Sequence, residues 1–200
     1  MRSISPLLCN LTLMLLITGC SSMTTTQQSG SDNSASSAAN SAKNPQLYQA
    51  LQSAHQLFEK KKVKQAKAQL EALIKQYPKQ SAPLINLGII QLSEDNPEAA
   101  EKSLLAALEI DKRSPSAHNQ LGVALRMQGR FAEAEQAYQA ALKHQPAYDL
   151  AHRNLGILYD LYLAKPELAL QHYQQYQTLA GTKDKEIENW IVDLQRRIGK

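Results

Sequence analysis

Asn86-Leu87-Gly88, Gln120-Leu121-Gly122 and Asn154-Leu155-Gly156 are three versions of one tripeptide, and their glycines stand 34 residues apart each time. Recurrence at one fixed interval means that the chain is built from stacked copies of one unit, each too small to bury its apolar face alone. The period therefore decides the architecture before any local propensity is weighed.

Placing each glycine at the eighth position of a unit frames the rest as 47–80, 81–114, 115–148 and 149–183, the last with one extra residue in its turn. Ala66, Ala100, Ala134 and Ala169 then fall at position 20. There a methyl group lets two helices approach where a larger group would splay them. Large side chains recur at position 24 as Leu70, Leu104, Tyr138 and Tyr173, and Ala107 and Ala141 fill position 27. Pro78 and Pro146 close the second helix of their units, since proline cannot continue a helix interior. Asp95-Asn96-Pro97, Gln128-Gly129-Arg130 and Lys165-Pro166-Glu167 read as the turns inside units, with proline suited to a helix start and glycine to a left-handed residue. Ala100, Leu104, Leu105 and Leu108 show the spacing of a buried helical face. The first unit is the least regular, with Ser53-Ala54 for Leu-Gly and Lys60-Lys61-Lys62 in its turn, as terminal repeats often are.

This pattern resembles the tetratricopeptide repeat over residues 47–183. The resemblance implies an all-α fold, a right-handed superhelix of about four helix-turn-helix units over residues 45–183. Residues 184–200 read as a capping helix, with Ile187, Trp190, Ile191 and Leu194 on one face and an acidic start and basic end that suit the helix dipole. Trp190 is accordingly expected in the core.

Residues 1–19 read as a leader. Arg2 supplies a positive charge and Leu7 to Ile17 an apolar run too short to span a bilayer as a mature helix. Ile17-Thr18-Gly19-Cys20 resembles the bacterial lipobox, which implies lipid attachment at Cys20 and stable membrane anchoring by several acyl chains. Ser21 and Ser22 in place of aspartate imply the outer membrane, on its periplasmic face. Residues 20–44 contain almost no bulky apolar group and read as a disordered tether reaching about 25–30 Å. Cys9 leaves with the leader, so no disulfide or thiolate metal site is expected.

In the tetratricopeptide family the first helices line a groove that takes a partner. The resemblance places Asn86, Gln120 and Asn154 there as an exposed amide ladder, able to donate to and accept from an extended peptide backbone. Arg126 and Arg153 flank it for an acidic group, and Ile89, Val123 and Ile157 belong to its apolar floor. The carboxylate clamp of chaperone-binding relatives is not matched, because Leu51, His55 and Ser116 occupy its positions. His118 and His152 share position 4 and are expected to stack one unit apart as exposed polar residues, without a third ligand for a metal. The lysines from Lys60 to Lys67 read as a solvated basic face, and the chain's net charge of +4 is no strong nucleic-acid footprint.

No nucleophile elbow, phosphate loop, metal-binding helix or catalytic carboxylate pair stands out, so catalysis is not expected, nor any cofactor beyond lipid on Cys20. The expected role is a lipid-anchored adaptor for an envelope protein or an extended segment of one. The resemblance extends to repeat lipoproteins that escort pilus or secretion secretins (pilotins), dock cell-wall hydrolases or accompany TonB-type systems. The alternative is a spacing or stability factor that contacts partners through its convex face or cap.

Overall fold

The computed structural model describes residues 44–181 and 184–199, which form nine helices and no strand. They are α1 (Pro45–Glu59), α2 (Val63–Gln76), α3 (Ala82–Ser93), α4 (Pro97–Ile110), α5 (Pro115–Met127), α6 (Phe131–His144), α7 (Asp149–Leu161), α8 (Pro166–Ala180) and α9 (Lys185–Ile198). The leader, Cys20 and all but the last residue of the tether lie outside the described residues. No described helix is long and apolar enough to cross a membrane.

Helix starts follow from local chemistry. The side chains of Asn44, Asn96, Ser114 and Asp184 accept from the amides of Leu47, Ala99, Ala117 and Ile187, satisfying donors that the first turn leaves free. Proline opens α1, α4, α5 and α8, where its missing N–H costs nothing. All four intra-unit turns contain one left-handed residue, at Lys61, Asp95, Gly129 and Ala164. Only the third unit puts glycine there.

Each odd-numbered helix from α1 to α7 pairs with the helix that follows it, and each pair packs on the next. The first helices α3, α5 and α7 also pack on one another in series, which puts them on the inner side of the stack. The alanines at position 20 are fully buried. The recurring glycines are the tightest points: a β-carbon would lie 2.8 Å from Leu104 at Gly88, 2.5 Å from Tyr138 at Gly122 and 2.4 Å from Tyr173 at Gly156. A small residue on one helix thus receives a large one from its partner.

Charged struts bind units in register. Glu101 of α4 meets Arg130 at 2.7 Å, and the equivalent Glu135 of α6 meets Lys165 at 3.5 Å. Between the first two units the sign is reversed, with Lys67 on Glu94 at 2.7 Å. Arg197 of α9 pairs with Asp160 of α7, and Trp190 packs on the core with its ring 5.4 Å from that of Tyr173. Helix α9 therefore closes the last unit as a cap.

Candidate functional site: the inner-helix groove

Asn86 on α3, Gln120 on α5 and Asn154 on α7 recur on the inner helices, but they are not three equivalent exposed amides. Asn86 is half-buried. Gln120 is only 8% exposed, and its Oε1 has no hydrogen-bond partner among the described residues. Asn154 is half-buried and donates through Nδ2 to Oδ1 of Asn119 at 2.9 Å. Asn119 itself is 1% exposed. The exposed ladder expected from the sequence is therefore corrected: one rung is enclosed, and another is held by an inter-unit hydrogen bond. The Asn154–Asn119 bond spans α5 and α7, which pack on one another along the inner side of the stack.

Arg126 lies near the end of α5, with its guanidinium 5.7 Å from the ring centre of Tyr162 and Nη1 3.4 Å from that hydroxyl. Burial works against its charge, but the hydroxyls of Tyr138 and Tyr162 outweigh burial and raise its pKa. The arginine stays charged in a half-enclosed aromatic setting. Its Nε, like that of Arg153 on α7, is buried and makes no hydrogen bond to another described residue. The two arginines lie on neighbouring inner helices, about two helical turns apart in repeat position. Ile89 and Val123 are enclosed in the core at 4% and 6% exposure, so they support the groove from beneath more than they offer surface; Ile157 is half-buried.

The histidines depart from expectation. His118 stacks on His144, with ring centres 5.5 Å apart, and His152 faces His172 at 5.1 Å, so each pairs within its own unit and not with the other. His118 and His152 both place Nε2 about 3 Å from a backbone carbonyl at the preceding unit's end, that of Lys112 or Pro146. A carbonyl only accepts, so neutral His152 carries its proton on Nε2 and presents a bare Nδ1. Nδ1 of His172, 2.9 Å away, then donates to it. Burial first, and then the charge His152 would carry, push the pKa of His172 down to about 4. No cluster of three or more metal-ligating side chains occurs among the described residues.

Sequence reasoning missed Asn119, whose only signal was a second amide beside Gln120. It also missed Tyr162 as the cover of Arg126, and the histidines of the second helices.

A tetratricopeptide repeat-like domain family matches residues 21–156. This chain belongs to that family. Its fold is shared with solved structures of low identity. The Pseudomonas aeruginosa PilF structure is 22% identical, with TM-score 0.68, over 76% of this chain and 68% of that one. TTC0263, a thermophilic tetratricopeptide protein of Thermus thermophilus, is 22% identical, with TM-score 0.63, over 76% and 83%. The first such domain of Spaghetti (RPAP3), bound to the HSP90 peptide SRMEEVD, is 18% identical, with TM-score 0.57, over 60% and 97%. No curated protein matches significantly. The all-α tetratricopeptide solenoid is that of an interaction scaffold, a class of module that generally binds proteins and does not catalyse.

Proposed function

We propose that this protein is a lipid-anchored adaptor at the periplasmic face of a bacterial outer membrane. Its inner helices hold an extended segment of a client envelope protein, and Cys20 and the tether fix where that happens. The client belongs to an envelope assembly: a pilus or secretion secretin, a cell-wall hydrolase or a TonB-type complex.

The observation that carries the groove reading is the set of unpartnered polar atoms on two adjacent inner helices: Oε1 of Gln120 and Nε of Arg126 and Arg153. An unmet buried polar atom costs roughly 1–3 kcal/mol, so native structures hold few of them without a role. An extended segment supplies the missing groups. On engagement the Gln120 amide turns out of its enclosed position to accept from a backbone N–H, and the segment's carbonyls or carboxylates accept from the arginines. The peptide held by the RPAP3 domain is a precedent for occupancy of this kind in the same fold.

The test is in-cell cross-linking followed by affinity capture, comparing native protein with Gln120→Met. Methionine keeps the approximate volume and removes the unmet acceptor, so the variant is expected to melt no lower than native while losing its client. Undiminished capture by a folded variant would move the contact to the outer face or the cap, as a spacing factor would require. Substituting Asn86 and Asn154 together would be a poorer test, because loss of Asn154 strands the buried Asn119.

A further inference from the structure

We infer that the α1–α2 turn is an electrostatic docking surface for the anionic lipid headgroups of the membrane that holds the protein. Between residues 45 and 80 the chain carries seven lysines against two acidic residues, whereas the remainder has fifteen basic and sixteen acidic residues. The whole positive excess sits in one unit. Lys60, Lys61, Lys62 and Lys64 are all exposed at one turn, and none forms an ion pair with another described residue. Glu59 is the one acidic residue adjoining them in sequence.

These lysines are poorly chosen for folding. Lys61 takes a left-handed backbone at φ 60°, as Asp95 and Ala164 do in the second and fourth units, but it alone does so between two further lysines. Lys62 opens α2 without a side-chain cap, and α2 has no acid in its first turn, whereas α4, α6 and α8 have Glu98, Glu133 and Glu167. Cations at a helix start oppose the dipole. Arg130 and Lys165 open α6 and α8, but each is met by an acid of the preceding unit, Glu101 or Glu135. Lys62 stands at the same position in a unit with no described unit before it. Local rules broken together at one turn mark a site kept for something other than folding.

The occupant follows from the tether. The basic unit is the one joined to residues 20–44, and a random coil of that length averages about 25–30 Å end to end, which would keep the unit near an anchor at Cys20. Lipid headgroups are the anionic surface always within that reach. The balanced charge of later units argues against a nucleic-acid track along the solenoid. The inference rests on the anchor reading.

The experiment uses the full chain with Cys20→Ser, so that no acyl chain contributes. It is sedimented with vesicles of phosphatidylcholine alone and of equal parts phosphatidylcholine and phosphatidylglycerol. The leader carries positive charge of its own at Arg2 and adds the same anionic preference to parent and variants, so the lysine series is read against the parent. Preferential binding to anionic vesicles is expected, falling by about fivefold for each lysine removed in the series Lys60→Gln, Lys62→Gln and Lys64→Gln. Lys61→Gly is expected to melt no lower than the parent and still bind anionic vesicles less. Equal binding to both vesicle types, a preference unchanged in these variants, or tighter binding to duplex DNA at the same salt would overturn the inference. Failure of the anchor reading shows separately, as a native chain that takes up no acyl label in cells, or as labelling that persists in Cys20→Ser.

Discussion

The first unit and the three that follow use the same helix pair but solve its packing differently. In units two to four a glycine receives Leu104, Tyr138 or Tyr173, leaving no room for a β-carbon. One core then runs from Ile85 to Leu194. In the first unit Ala54 and Leu70 occupy these positions, and their core is a separate cluster that reaches the rest of the chain through Leu87, Ile90 and Ala82 of α3. The later units are interlocked by shape, while the first is attached to them. Their turns differ in the same sense, with lysines in the first unit and acid-paired cations in the third and fourth.

The sharpest way to break this contrast is Gly122→Ala. A methyl group gains roughly 1 kcal/mol of helix propensity, but overpacking against a fixed tyrosine ring costs more. A net loss of about 2 kcal/mol is expected in urea denaturation. Gly88→Ala should lose less, because Leu104 has branches that can shift. Adding Tyr138→Leu to Gly122→Ala rebuilds the first unit's pairing and should recover part of the loss. A double variant less stable than Gly122→Ala would show that the ring is not the obstacle.

Acid should weaken the fourth unit more than the first. The pKa of His172 is lowered to about 4 in the folded protein, chiefly by burial and then by His152, against an ordinary value of 6.5. A base depressed on folding makes the unfolded chain bind more protons, so its contribution is present above about pH 6.5 and is lost as the pH falls towards 4. Partial exposure of the ring reduces the effect to about 1–2 kcal/mol. Melting curves across that interval should flatten in His172→Phe, which keeps a ring against Tyr159. An unchanged slope would contradict the assignment.

Smaller effects sharpen the turn comparison. Lys61→Gly and Ala164→Gly each relieve a left-handed residue and should raise stability by up to about 1 kcal/mol, whereas Gly129→Ala should lower it similarly. Hydrogen exchange should find α1 and α2 opening before α5 to α7, since less core secures them.

The spacing of Gly88, Gly122 and Gly156 made the helix pairs legible, because packing inside a unit repeats with the unit. The alanines at position 20 and the glycine and proline turns were legible for the same reason, and Ile187, Trp190, Ile191 and Leu194 marked the capping helix by its stripe. Contacts between units, and side-chain pairs inside a unit that do not recur at one repeat position, were not legible. Asn154 bonds to Asn119, which is displaced by one residue from the repeat interval, so aligned amides suggested a ladder that the packing does not form. His144 and His172 do not share a repeat position, and only the antiparallel pairing of helices brings them to His118 and His152. Identity at a repeat position predicts the fold of a unit, but the burial of Gln120 depends on how neighbouring units close over it.

The inner helices are the proposed binding face. A photo-cross-linking amino acid is placed in living cells at Asn86, on inner helix α3, and separately at Leu105 on outer helix α4, which is 46% exposed although its spacing reads as part of a buried face. A client adduct from position 86 and none from position 105 is the predicted result. An adduct from position 105 with none from position 86 would contradict the groove and place the partner on the outer face.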